Sequence, residues 1–127
     1  KRIFRIYKRK LSKYNDYIQF PPYNNQISSS YHLNIVHLNF NNIKGNKDNF
    51  IKYLNKHNIY PQYHYTPIYR LKNMKRFGIQ NYSGCEKYFN SAISLPIYVN
   101  LNDKMLSFVI KKIINYLDKF KKNNVQK

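Results

Sequence analysis

"GNKDNFIKYLNKHNIYPQYHYTPIY" (Gly45–Tyr69) carries the punctuation from which the fold is read. Asn46 predicts a helix start, because its side chain can accept from an orphan amide of the first turn, and the Asp48 carboxylate favours the positive end of the helix. Phe50, Ile51 and Leu54 then recur at helical spacing as a buried face. Asn58 can enter the left-handed region and close the helix, with Ile59 packing back on it. Tyr60 to Tyr65 reads as a short strand, and it feeds a loop in which His64 and two tyrosines are held between Pro61 and Pro67. A helix that hands over to a short strand and a rigid loop is a mixed α/β signature.

Upstream, Phe4, Tyr7, Leu11, Tyr14 and Ile18 step by three and four, predicting one helix from Lys1 to about Gln19 with basic outer faces. Pro21 and Pro22 cannot continue it. "YHLNIVHLNF" (Tyr31–Phe40) alternates at Tyr31, Leu33 and Ile35, then shifts phase to Val36, Leu38 and Phe40. That reads as a strand with a bulge, or as one buried on both faces. Downstream, Arg70 to Phe77 reads as a short helix stopped by Gly78. Ser83 with Glu86 three residues on reads as a capping box opening a helix to about Ser91. "AISLPIYVN" (Ala92–Asn100) is a short apolar segment broken by Pro96. Asn102 and Asp103 cap a long helix with a stripe of Met105, Leu106, Val109, Ile110, Ile113, Tyr116 and Leu117. The expected class is α/β, two-layer and mixed, with a short sheet packed against helices.

At 127 residues the chain is one domain with room for a real core. Its formal net charge of +18 would ordinarily point to nucleic acid or an anionic membrane. The residues in excess, however, are Lys, Asn, Ile, Tyr and Phe, all specified by A/T-rich codons, and Arg is scarce beside Lys. A biased genome raises lysine on every solvated surface, so the charge specifies no site. A lone Cys85 excludes an internal disulfide and fits a reducing, cytoplasmic compartment. No apolar run reaches the length of a membrane span. The basic start "KRIFRIYKRKLSKY" lacks the apolar core of a signal peptide.

A complete catalytic set is not evident. Of the five acidic residues, Asp48, Glu86 and Asp103 are used by helix starts, and Asp16 and Asp118 lie on helix faces. No paired carboxylates remain for acid–base work. His32, His37, His57 and His64 have no Cys or carboxylate at metal-ligand spacing. Cys85 reads as a packed thiol rather than a nucleophile. With three glycines there is no phosphate-cradling loop. What stands out is the run of polar aromatics in "YHL", "PQYHYTPIY" and "SLPIY", suited to hydrogen-bonding and stacking on a ligand.

The order of these motifs resembles the C-terminal small domain of the DegT/DnrJ/EryC1/StrS family of pyridoxal-phosphate-dependent nucleotide-sugar aminotransferases, of fold type I. The resemblance runs through Tyr31-His32-Leu33, Asn58-Ile59 at a helix end, His64-Tyr65-Thr66-Pro67, Cys85-Glu86 at a helix start, Ser94-Leu95-Pro96-Ile97, and Val109-Ile110 in the last helix. Asn58 stands where the family has glycine, a role Asn can fill. Tyr69 and Leu71 stand where His and Gln are common. Gln62-x-His64-Tyr65-x-Pro67 is most similar to the transaminases that make UDP-4-amino-4,6-dideoxy-N-acetyl-β-L-altrosamine, on the route to pseudaminic acid.

The resemblance implies that residues 1–22 connect to a large domain, that 23–120 form the small domain, and that 121–127 are a frayed tail. It implies no catalytic residue in this chain, since the Schiff-base lysine and most of the pyridoxal 5'-phosphate site belong to the large domain. His64 and Tyr65 are expected to line the substrate cleft, joined by His32, Tyr69 and Arg70. The implied partners are a nucleotide-linked keto sugar, glutamate as amino donor, and a second copy in a homodimer, with no specific nucleic acid, membrane or metal. The competing readings are a small basic nucleic-acid- or membrane-binding module, and a catalytically dead remnant.

Overall fold

In the computed structural model, which describes residues 1–22, 29–77 and 82–122 (at Lys75 the backbone alone), the elements in chain order are helix α1 (Arg2–Leu11), strand β1 (Ile18–Gln19), β2 (Ile35–Leu38), α2 (Lys47–Asn55), β3 (Gln62–Tyr63), α3 (Ser83–Ser91), β4 (Ala92–Ser94) and α4 (Asp103–Phe120). Short 3₁₀ segments occupy Ser12–Tyr14, Ile68–Arg70 and Lys72–Phe77. The strands make one antiparallel sheet in the order β1-β2-β4-β3. Val36 and Tyr63 both pair with Ile93, so β4 is central and the loop leaving β3 starts level with His37, the partner of Ala92.

Alternation along β2 sends Asn34, Val36 and Leu38 into the core and leaves Ile35 and His37 on the opposite face. The core face is covered by α1, α2 and α4. Tyr7, Leu11, Phe50, Leu54, Leu106, Ile113 and Leu117 bury themselves against Val36 and Ile93. Burial keeps the Tyr7 hydroxyl protonated, and it donates to the Pro96 carbonyl at 3.1 Å. The end of α4 is tied back by Lys44 N–H to the Phe120 carbonyl (2.7 Å) and Lys122 N–H to the Asn42 carbonyl (2.8 Å). Residues 123–127 of the expected frayed tail lie outside the described residues. Among the described residues, no helix is long and apolar enough to cross a membrane.

The middle of the chain folds as its ends dictate. Asn46 accepts from Asn49 N–H, and the Asn49 side chain accepts from Asn46 N–H, both at 3.0 Å. Asn58 sits at φ 58° and Ile59 N–H returns to the Leu54 carbonyl at 3.1 Å. Asn102 caps α4 by accepting from Met105 N–H at 2.9 Å.

Elsewhere the structure differs from the sequence expectation. The first helix stops at Leu11, turns through Ser12–Tyr14, and has become strand by Ile18, well before Pro21. Tyr14 and Ile18 keep the helical spacing and are both buried, so a tight turn carries the stripe on without a helix. Tyr31 lies outside any strand, in the left-handed region at φ 55°, with its ring against Phe4 at 5.1 Å. The strand therefore starts at Ile35 and needs no bulge; its apparent phase shift is the boundary. Met105, expected in the α4 stripe, is exposed. Residues 72–77 form a 3₁₀ segment, and Gly78, its expected stop, lies outside the described residues.

Candidate functional site

The second face of the sheet meets α3. His37 Nδ1 lies 3.0 Å from Ser91 Oγ, and its ring meets Tyr88 edge-on at 5.2 Å. None of the residues of α3 is fully buried, so the helix stands proud of the sheet with a cleft on each side. One cleft, of about 630 Å³, is walled by Gln19, His37, Asn39, Lys87 and Ser91. The other, of about 760 Å³, lies between α3 and the loop that follows β3, walled by His64, Tyr65, Pro67, Tyr69, Tyr82 and Tyr88. Tyr88 faces both.

His64 and Tyr65 stand together at the second cleft, with rings 4.6 Å apart and tilted by 31°. The Tyr88 hydroxyl lies 3.3 Å from His64 Nδ1. His64 Nε2 is sealed from water and, among the described residues, has no hydrogen-bond partner. Tyr65 is 71% exposed, an aromatic surface free to meet a ligand.

Tyr69 also lines this cleft, but its hydroxyl is already engaged, donating to Glu86 Oε1 at 2.7 Å. Arg70 Nε donates to the same oxygen at 3.0 Å, and its terminal nitrogen binds Glu86 Oε2. This fork fixes the loop to α3. The hydrogen bonds from Tyr69 and Arg70 hold the Glu86 carboxyl below the usual glutamate range. Loss of water and the Glu86 bond push Tyr69 up to about 12. The expected capping box is therefore absent. Tyr82 occupies the cap position, Ser83 is the first helical residue, and Glu86 is drawn to the loop instead of its own helix start. A charge-assisted fork outweighs one exposed cap bond.

His32 is not brought to this cleft. It is exposed, lies five residues before His37 and is not among the residues that line the cleft. Cys85 is exposed at the cleft rim rather than packed.

Sequence reasoning missed Tyr88, the loop-binding role of Glu86, and Lys47. Lys47 is buried although it is a lysine; its ammonium donates to the Phe89 carbonyl and lies 3.7 Å from the Phe89 ring centroid. The Arg70 guanidinium lies 5.0 Å from the centroid of the same ring. Burial, and secondarily Arg70, lower the Lys47 pKa against the opposing pull of Asp48. An aromatic residue three places after Glu86 was the available signal, since it puts a ring and a carboxylate on one helix face.

The family model described as the DegT/DnrJ/EryC1/StrS aminotransferase family matches residues 1–114. No curated protein matches the chain. Among solved structures, Helicobacter pylori PseC, an aminotransferase involved in the biosynthesis of pseudoaminic acid, is similar with a TM-score of 0.80 and 24% identity over 94% of this chain and 32% of that one. The aminotransferase TlmJ from Streptoalloteichus hindustanus is similar with a TM-score of 0.78 and 22% identity over 93% and 31%. An aminotransferase from Psychrobacter cryohalolentis reaches a TM-score of 0.82 at 12% identity, over 93% and 33%. The chain thus has their fold and spans about a third of their length.

Proposed function

The chain belongs to the DegT/DnrJ/EryC1/StrS aminotransferase family, and from that premise we propose that it is the small-domain portion of a pyridoxal-phosphate-dependent enzyme that moves an amino group, from glutamate, onto a nucleotide-linked keto sugar. The carrying observation is the aromatic cleft of about 760 Å³ between α3 and the loop that follows β3, open to a ligand and with His64 and Tyr65 in its wall. A concave, largely apolar wall with a few polar groups suits a small ligand. Tyr65 offers that ligand a stacking face beside His64.

The cofactor itself does not fit this cleft. Among the described residues lining it there is no lysine amine and no carboxylate for the pyridine nitrogen. Lys47 is spent on the Phe89 carbonyl, and Glu86 is held by Arg70 and Tyr69. On this reading the cofactor is held by a large domain and this chain closes over the sugar. The likeness to the pseudoaminic acid enzyme favours an amino-sugar precursor as the substrate; a UDP link and a cytoplasmic homodimer belong to the same proposal.

The test uses the native polypeptide that carries these residues. It should bind pyridoxal phosphate and transfer nitrogen from glutamate to a UDP-linked keto sugar. His64→Ala should lower kcat/KM for the keto sugar about tenfold or more, and Tyr65→Phe less, with the glutamate half-reaction little changed. A native polypeptide that binds no cofactor and transfers no amino group would overturn the reading.

A further inference from the structure

Helix α3 supplies one wall of the aromatic cleft through Cys85, Tyr88 and Phe89, yet none of its residues is fully buried. The facing loop is no better covered, with Tyr65 and Ile68 exposed. Burial alone therefore does not fix the gap between the two walls. Directed contacts do.

Lys47 is where those contacts converge. It is the first residue of α2, whose Phe50, Ile51 and Leu54 lie in the core, so its backbone is a fixed point. Its ammonium donates to the Phe89 carbonyl, in the last turn of α3. Carbonyls there have no partner within the helix, and a cation meets the negative end of the helix dipole. The same ammonium lies 3.7 Å from the Phe89 ring centroid and 5.0 Å from that of Tyr63, the residue immediately before His64. The Tyr63 hydroxyl donates to Asp48 Oδ1 at 2.7 Å, a second tie to the start of α2. Tyr63 also pairs with Ile93, just past the end of α3, so loop and helix diverge from this root. One buried ammonium thus touches both walls of the cleft where they part. At the far end the Glu86 fork holds Tyr69 and Arg70. Residues 64–68, with His64 and Tyr65, are slung between the two ties.

Lysine is locally the wrong residue for this position. The first turn of a helix repels a cation, and burial penalises an ammonium far more than an apolar side chain. A local rule broken at such cost has its reason in a distant contact, and here both distant contacts, Phe89 and Tyr63, frame the cleft.

We propose that Lys47 is a positioning residue: from the fixed start of α2 it sets the gap between α3 and the 64–68 loop, and thereby how tightly the cleft holds the keto sugar. The sugar rests on the aminotransferase reading above; the setting of the gap does not.

The test compares the native polypeptide with Lys47→Met, which keeps the stem and removes the ammonium, and with Lys47→Arg, which keeps the charge. In the unsubstituted protein the Lys47 ε-methylene protons should show nuclear Overhauser contacts to both the Tyr63 and the Phe89 ring. Contacts to one ring alone, or to neither, overturn the proposal whether or not the variants fold. In K47M, amide exchange should quicken about 3- to 10-fold across Tyr63–Leu71 and α3 and stay unchanged in β2 and α4. KM for the keto sugar nucleotide should rise by about the same factor while kcat changes less than about twofold, and K47R should recover most of both. Unaltered exchange in K47M overturns the proposal. So does exchange that quickens equally in β2 and α4, which would make Lys47 a support of the whole fold, and so does an unmoved KM beside locally faster exchange. If the unsubstituted protein aminates no keto sugar, the assigned ligand falls together with the aminotransferase reading, and the exchange pattern still decides whether Lys47 sets the gap.

Discussion

Glu86 is the residue on which the loop bearing His64 turns. Two donors from that loop, the Tyr69 hydroxyl and the Arg70 guanidinium, converge on its carboxylate, and the Arg70 and Lys47 cations share the Phe89 ring three residues on. Glu86→Gln keeps the shape of the side chain and removes its charge. The expected outcome is faster amide exchange and proteolysis across 64–71 with a nearly unchanged melting temperature, because the core does not include these residues. The same contact gives a pH signature. The folded Glu86 pKa is depressed, so its contribution is fully present above the unfolded glutamate value of about 4.3 and is lost as pH falls through the lower folded value. Near-UV circular dichroism from Tyr69 and Tyr82, whose rings lie 5.0 Å apart, should therefore hold to mildly acidic pH and change only below that value. A change centred near neutrality, or none in Glu86→Gln relative to the parent, would remove Glu86 as the latch. The sequence showed His64 and Tyr65 because two prolines frame them. Tyr88 and Glu86 stayed hidden because their contacts reach 24 and 16 or 17 residues back to the loop, where no local pattern records them.

At the scale of elements, both ends of α2 were legible and the end of α1 was not, for one reason. Both ends of α2 are fixed by single residues acting on their own backbone: Asn46 through its side chain, Asn58 through its left-handed φ. Asn58→Ala should cost about 1 kcal/mol, since alanine is strained where φ is positive, whereas Asn58→Gly should not destabilise. Urea unfolding of the two variants checks this, and equal losses in both would show that the Asn58 side chain, not its backbone, is what matters. The end of α1 has no such residue. Its stripe continues through Tyr14, whose hydroxyl donates to Asp118 at 2.9 Å, and Ile18, which pairs with Leu38. Tertiary partners, not capping chemistry, end this helix, so periodicity alone overran it by more than a turn. The Tyr31 region fails to read as loop for a similar reason: β-favouring residues sit in a segment whose geometry is set by the Phe4 ring against Tyr31.

For the whole molecule, charge and apolar exposure pull in opposite directions, and salt separates them. The 23 lysines and arginines are offset by only five acids, which leaves the formal net charge at +18, and Asp103, Glu86 and Asp118 are engaged in ion pairs. Against this repulsion stand Tyr65, Ile68 and Phe77, exposed by 71%, 67% and 70% around one cleft. The edges of the sheet, β1 and β3, are two residues long, too short to template strand pairing between copies. Any association of these 127 residues by themselves should therefore run through the aromatic rim. Added salt screens the repulsion and leaves the apolar attraction, so sedimentation should show mass rising with salt, together with binding of an apolar dye. Ile68→Lys should suppress both. Nucleic acid held by the basic surface would behave in the opposite sense, weakening steeply with salt and indifferent to Ile68 and Tyr65. A monomer at all salt concentrations that binds no dye but retains nucleic acid tightly would make charge, not the cleft, the working surface of this chain.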